Sequence, residues 1–454
     1  MSTSKKIDTP HDEYTKWLPI WLKCRDAYAG QEAVHGRGVT YLPMLSGQSP
    51  AEYDRYRNRS MFFNATGRTV EGMVGMIMRK EPVLKIPASL ESIADDFDLK
   101  GTHINDFADS LLQELSITNR VGLLVDFPRA STVGMTVSQM ESSGIRPYVA
   151  MYQAENIIDW KFARVNNRYI LVMVKLREYD DDGDEFIRYL ELTESGYIVS
   201  IYPKGKDGYK DDPSEIFQPL MNNAPLPYIP FIFDSQIFKP PLLDLVNVNF
   251  SHYNNSADYE HGLHFTGLPT PIFWGADLTD EAGNMVVNIG STSAYGFPNP
   301  EGHAEYLEFT GTGLGALKTA MDDKVNYMVA LGSRYLGAEK RAAETAEAMT
   351  IRNAGENSIM AKIAGYGSIM MTRAWQIIAE WSRIAPDSVS MVINRDVTPN
   401  GLTPQMFQQL TSAYMTGAIS YETYFANLQT GEIIDSQRSI DDERAGLQDN
   451  TGGL

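Results

Sequence analysis

The sequence has one cysteine, Cys24, no apolar stretch of membrane-spanning length, and a shortage of basic residues. One thiol excludes an intrachain disulfide and any cysteine-only metal cluster. Its setting in Trp17-Leu18-Pro19-Ile20-Trp21-Leu22-Lys23-Cys24 predicts a packed free thiol. No window approaches the ~18 apolar residues that a membrane span requires. Met1-Ser2-Thr3-Ser4-Lys5-Lys6-Ile7-Asp8 has no apolar region after its lysines, so it does not read as a signal peptide. The expectation is a protein made and used in a cytoplasm-like, reducing environment, with no membrane partner. Lys and Arg number 39 against 58 Asp and Glu, a formal net charge of −19. That argues against a tight, nonspecific nucleic-acid binder, whose affinity comes from cations neutralising phosphates. It is compatible with a surface that DNA slides past, because an acidic wall repels phosphates.

Complete catalytic constellations are lacking too. Val121 to Asp126 looks like a Walker-B strand, but no GxxxxGK[ST] phosphate loop accompanies it. Phe309-Thr310-Gly311-Thr312-Gly313-Leu314-Gly315-Ala316 follows a strand and opens a helix, but its glycines are in GxGxG order, not GxGxxG, and that helix leads into another helix instead of a second parallel strand. It predicts a loop-to-helix joint rather than a dinucleotide turn. His261 and His264 are spaced to share a helical face, yet no third strong ligand can be placed beside them, so they read as an ordinary helix end. Asp180-Asp181-Asp182-Gly183-Asp184-Glu185 lacks the ligand order of an EF-hand and reads as a solvated hairpin tip. No serine sits in a GxSxG elbow. The expectation is a protein that is not an enzyme, with no catalytic, cofactor-binding or metal-binding residues and no cofactor.

What is present is a chain of 454 residues, 43% hydrophobic and 21% charged. Those proportions belong to a folded protein, and the length exceeds the roughly 250–300 residues at which one core stops growing. Two to four packed units of α+β class are expected. Residues 11–29 read as a helix, 30–50 as a loop, and 51–78 as a mostly helical stretch in which Gly67, Gly72 and Gly75 predict a break or close helix packing. Between 51 and 80, six basic residues face three acidic ones, a local basic patch. Ile104, Phe107, Ala108, Leu111, Leu112 and Leu115 recur at helical spacing. Strand-like runs follow at 121–127, 147–153, 168–177, 186–192 and 197–202, and 226–233 reads as edge-like chain. Then come a helix from Leu242 to about Phe265, and a compact segment with short strands at 271–274, 285–289 and 305–309. A helix at 314–331, a loop, and an Ala-rich helix over 342–383 with glycines suited to a kink follow. The last helical unit, 404–428, precedes an acidic tail.

This order resembles the stem, clip, stem, tunnel loop and long helix of tailed-bacteriophage portal (head-to-tail connector) proteins. Several stretches are similar to that family as well: Phe62 to Gly75, Gly122 to Pro128, Leu242 to Asn249, Glu344 to Met349 leading to Glu356-Asn357-Ser358, and Thr416 to Thr423. The resemblance implies a portal-type fold: a mixed α/β wing (1–241), stem helices (242–266 and 314–331), and a small α/β clip (267–313). A tunnel loop (332–341), a long kinked helix with wing return (342–398), and a helical crown with acidic tail (399–454) complete it. It implies a cyclic homo-oligomer, typically dodecameric, at one capsid vertex of the virion, assembled in the host cytoplasm. Its channel would pass double-stranded DNA during packaging and ejection, with transient, sequence-independent contact. Partners would be the terminase large subunit, head-completion adaptor and tail proteins, and the major capsid and scaffolding proteins. Ser333, Arg334, Tyr335, Lys340 and Arg341 would face DNA; Trp274, Asp277, Asp280, Glu281 and Tyr295 would meet terminase or adaptor. An oligomeric virion protein without a channel, or a phage enzyme with an unrecognised site, are the alternatives.

Overall fold

The computed structural model describes residues 6–128, 139, 143–267, 270–275, 301–307, 311–332, 346–395, 397, 404–431, 433–434 and 438–451. The fold is α+β. Its first helices are α1 (Asp12–Ala29), α2 (Gln31–Gly36), α3 (Pro50–Arg59), α4 (Ala65–Ile77), α5 (Glu91–Asp95) and α6 (Ile104–Ile117). Later come α7 (Leu243–Gly267), α8 (Leu314–Ala330), α9 (Ala346–Trp381), α10 (Pro404–Met415), α11 (Tyr421–Thr430) and α12 (Ile440–Thr451). Strands β1 (Val83–Lys85), β2 (Val121–Asp126), β3 (Tyr148–Gln153), β4 (Ile157–Val165) and β5 (Arg168–Tyr179) precede α7. So do β6 (Glu185–Thr193), β7 (Gly196–Gly205), β8 (Gly208–Tyr209), β9 (Glu215–Phe217), β10 (Leu220–Met221), β11 (Ala224–Pro225) and β12 (Phe231–Ile232). Strands β13 (Thr270–Trp274) and β14 (His303–Leu307) lie between α7 and α8, and β15 (Ser390–Val392) follows α9. The chain divides into two compact units: 1–25, 69–243 and 338–454 form the first, and 26–68 with 244–337 the second.

In the first unit, β2 is the middle strand of the antiparallel sheet β12-β2-β3 and is buried through Val125. Gly122 is required there, because a Cβ would lie 2.1 Å from Phe231 Cζ on the neighbouring strand. Helix α6 buries the apolar stripe read from its spacing, and α9 packs against it. A Cβ on Gly367 of α9 would lie 3.2 Å from Leu112 Cδ2, so glycine sets how closely the two helices approach. Helical structure continues through Gly355, Gly365 and Gly367. A second antiparallel sheet, β4-β5-β6-β7-β8 with β9 on β7, supplies the β-rich block. Its first hairpin turns at Asn166 and Asn167, whose φ of 48° and 65° suit the left-handed turns that match strand twist.

Buried charges tie these parts together. The Arg25 guanidinium donates to both Glu114 oxygens on α6 (2.9 and 2.8 Å) and to both Glu155 oxygens beyond β3 (2.6 and 2.9 Å). Arg188 on β6 pairs with Glu178 at 2.5 Å and Asp126 at 3.0 Å, joining the two sheets. Arg120 lies between Trp160 and Phe233, 4.2 Å from each ring centroid, and burial pulls its pKa down to about 9.

Several boundaries differ from the sequence reading. The stretch 51–78 is two helices, broken at 60–64 and not at its glycines. Ser49 and Glu52 form a capping box that starts α3 with Pro50 at its first position, and Asn64 Oδ1 accepts from Gly67 N at 2.8 Å to start α4. The 404–428 unit is also two helices. Gly417, at φ 72°, ends α10 with Ala418 N–H donating to Ala413 O (2.9 Å), and Ser420 caps α11. The 30–50 loop contains α2. The acidic tail contains α12, capped by Ser439 and opened by Asp441, Asp442 and Glu443, which suit a helix N-terminus. Strand β4 is not among the strands that the sequence predicts, and the strand expected at 285–289 lies outside the described residues.

Gly122→Ala is expected to destabilise the first unit by about 2 kcal/mol through overpacking against Phe231. Urea denaturation measures this, and Phe231→Leu in the same chain should restore part of the loss.

Candidate functional site

The second unit is built on a helix–hairpin–helix. Helix α7 buries Leu245, Val246, Phe250, Tyr253 and Ala257, at spacings that place them along one face. Phe250 packs against Tyr41 and Phe62, and Tyr253 against Phe62. Among these apolar groups Asn249 is fully buried and satisfied. Its Oδ1 accepts from Thr66 N (3.2 Å) and Oγ1 (3.0 Å), and its Nδ2 donates to Phe63 O (2.8 Å). The amide thereby fixes α7 to the start of α4.

Helix α8 returns along α7. Leu245 and Met328 share a buried cluster with Ala65, Lys324 Nζ donates to Ser251 O (3.0 Å), and Leu314 lies over Gly262. Rising numbers on one helix meet falling numbers on the other, so the pair is antiparallel. A Cβ at 262 would lie 2.6 Å from Leu314 Cδ2. The glycine that weakens α7 by propensity is what lets α8 approach it. Both helix ends therefore meet at one place, and the β13–β14 hairpin is carried between them. The joint into α8 is Gly311, at φ 63°, whose carbonyl accepts from Leu314 N (2.9 Å). It follows an antiparallel strand, which is not the setting of a dinucleotide turn.

On the hairpin Trp274 is 40% exposed and its ring stacks on His303 across the strands at 4.6 Å. Tyr306 is 56% exposed. These side chains offer rigid apolar area to solvent, the kind of group that anchors protein interfaces. Of the residues expected to meet terminase or adaptor, Trp274 is thus on the hairpin and accessible. Asp277, Asp280, Glu281 and Tyr295 lie outside the described residues, as do Ser333, Arg334, Tyr335, Lys340 and Arg341.

The other sequence candidates have structural partners. His264 Nε2 lies 3.0 Å from Arg59 Nη2, and the His261 ring packs edge-on to Tyr56 and Phe265. Among the described residues no three His, Cys, Asp or Glu side chains are grouped to hold a metal ion. Asp126, the Walker-B-like carboxylate, pairs with Arg188 and accepts from Tyr148 (3.4 Å). Asp180 Oδ1 accepts from Asp182 N (3.1 Å) and Asp184 N (2.8 Å), closing its own turn. Cys24 is buried, which pushes its thiol up to about 12. The basic patch is divided between the units: Arg57 pairs with Asp54 at 3.2 Å, Arg59 meets His264, and 69–80 belongs to the first unit. No helix among the described residues is long and apolar enough to cross a membrane.

Three histidines of this unit, His35, His252 and His261, are biased toward the neutral form. Burial depresses His35, His252 and His261, and Arg57, Lys324 and Arg59 respectively push them further down. The Nδ1 atoms of His252 and His261 are buried without a hydrogen-bond partner. A histidine depressed on folding contributes stability that is present above its ordinary value of about 6.5 and is lost as pH falls below it. Protection factors for amide exchange across residues 243–267, with the intrinsic pH dependence of exchange divided out, are expected to fall from about pH 7 to about pH 5, and His252→Gln should flatten that dependence.

Comparison with known proteins gives three results. Residues 241–382 match the model of a family described as Domain of unknown function (DUF4055). No curated protein matches the chain. Among solved structures, a chain from the neck of a native GTA particle, computed with C12 symmetry, aligns with a TM-score of 0.41 and 9% identity, covering 80% of this chain and 89% of its own. One from the neck of an empty GTA particle, computed with C6 symmetry, gives 0.39 and 9%, covering 88% and 98%.

Proposed function

We propose that this chain is a non-catalytic portal-type subunit, the repeating part of a ring at a phage capsid vertex through which double-stranded DNA enters and leaves. The observation that carries the reading is the antiparallel α7–α8 pair with a β-hairpin held at one end, followed along the chain by the 36-residue helix α9. A helix pair of that kind presents long exposed flanks to neighbours, and its terminal hairpin suits docking better than it suits a catalytic pocket. The resemblance of the sequence to portal proteins supplies the rest: a ring of about twelve copies, and docking by the hairpin end to a terminase during packaging and to adaptor or tail proteins afterwards.

The electrostatics fit a channel. Twelve copies at −19 carry −228, which disfavours lasting adhesion to phosphates. Brief contact would fall to basic residues set among glycines, Arg334, Lys340 and Arg341. The carboxylates that resembled catalytic groups are occupied by arginines and by their own turn, which favours a structural protein. The energy for DNA movement would then come from a partner motor.

Electron micrographs of the purified protein should show uniform rings with a central hole; compact monomers at micromolar concentration would refute the reading. Replacing Arg334, Lys340 and Arg341 together with Ala should leave rings intact and change DNA packaging or retention. Unchanged packaging would remove those three residues from the mechanism.

A further inference from the structure

The β4–β9 sheet ends in two unlike edges. At one end, β4 pairs with β5 and with no other described strand. Its outer side accepts one backbone bond near its start, His11 N–H to Ile158 O (2.9 Å), and beyond that the edge opens into a cleft of about 560 Å³. Trp160, Lys161, Phe162, Tyr169 and Ile237 line it, with Glu13 at its rim and the His11 ring stacked on Trp160 at 4.2 Å, so Phe162 and Tyr169 are its accessible rings. The Phe162 and Tyr169 rings stack at 5.7 Å, and Tyr169 is 69% exposed. Lys161, Arg164 and Arg168 are exposed, and among the described residues none of them forms an ion pair. At the opposite end, β9 lies on β7 with Ile216 65% exposed, flanked by exposed Asp211, Asp212 and Glu215.

An open edge of this length attracts other strands, and proteins usually guard it with basic side chains and bulges. Here the register of β4 shifts at Ile157/Asp159 and at Lys161/Phe162. Those features repel indiscriminate pairing, while the cations favour an acidic strand. This sheet carries such a segment at its far end. We infer that the β4 edge is the docking site for the β9 end of the same sheet in a second copy, with Ile216 entering the Trp160–Phe162–Tyr169 cleft and Asp211 and Asp212 meeting Lys161, Arg164 and Arg168. The contact joins unlike surfaces, so it propagates head to tail and closes only as a ring. Main-chain bonds give the affinity, and the side-chain pocket gives the register. The inference rests on the ring reading and assigns its subunit contact.

The variants Ala163→Cys and Ser214→Cys, each adding one thiol to the buried Cys24, test it, with the unsubstituted chain as the control for Cys24. After mild oxidation with diamide, an equimolar mixture should give a cross-linked dimer on a non-reducing gel, while each variant alone stays monomeric. The double variant should give a ladder of multimers. Lys161→Glu with Arg164→Glu should cut the cross-linked yield at least tenfold, and Asp211→Lys with Asp212→Lys in the partner should restore it. Ala163→Cys cross-linking to itself would overturn the inference in favour of a symmetric edge pairing. Rings in micrographs without any cross-link would overturn the contact and leave the ring standing. Cross-linked dimers without rings would uphold the contact and remove the ring.

Discussion

Side-by-side closure of α7 and α8 is the constraint on which the second unit depends. The helices are separated by residues 268–313, so their association must offset the entropy of closing that connection. Close contact at both ends does so: Leu314 sits directly on Gly262, and Met328 is buried with Leu245 and Ala65. The buried amide of Asn249 then fixes the pair to the α4 entrance through three hydrogen bonds. A leucine in its place would strand the Thr66 N–H and the Phe63 carbonyl in an apolar core, a larger penalty than the lost bonds alone.

The first unit solves a different problem, the burial of charge. Arg25 and Arg188 each face two carboxylates with nearly ideal donor geometry, which is how a desolvated guanidinium is made tolerable. Among the described residues Arg120 has no carboxylate in contact; two aromatic faces and the carbonyls of Asp234 and Gln236 take that place. These groups resemble catalytic machinery in isolation. Their partners show that they instead set how the sheets and helices are joined.

Much of the architecture was legible because it follows from periodicity. The α6 stripe, the β5–β7 meander and the α7, α8 and α9 helices stand within a few residues of where their patterns place them. Boundaries set by single side chains were not. Asn64 and Gly417 each break a stretch that reads as continuous helix, and Ser439 starts a helix in an acidic tail, because caps act through hydrogen bonds that a hydropathy pattern does not encode. In β4, Ile158, Trp160 and Phe162 alternate with polar residues, but the run is short, and the register shifts at Ile157/Asp159 and Lys161/Phe162 are not marked by any sequence pattern. At the candidate site, Trp274 reads directly from its place in a short strand. The stacking of Trp274 on His303 does not, since it depends on a cross-strand register that pairs residues 29 positions apart (303 − 274). The charged edges of the large sheet were likewise invisible, because strand order in space decides which residues lie outermost.

The glycine-jointed hairpin has a consequence for how such a chain diversifies. Because its two ends leave α7 and α8 at the same level, sequence can be added to or removed from that segment without moving any residue of the helix pair. Selection can therefore reshape the tip to suit a new companion while the supporting pair retains its own contacts. A side chain at Gly262 or loss of the Asn249 amide would disturb that support directly.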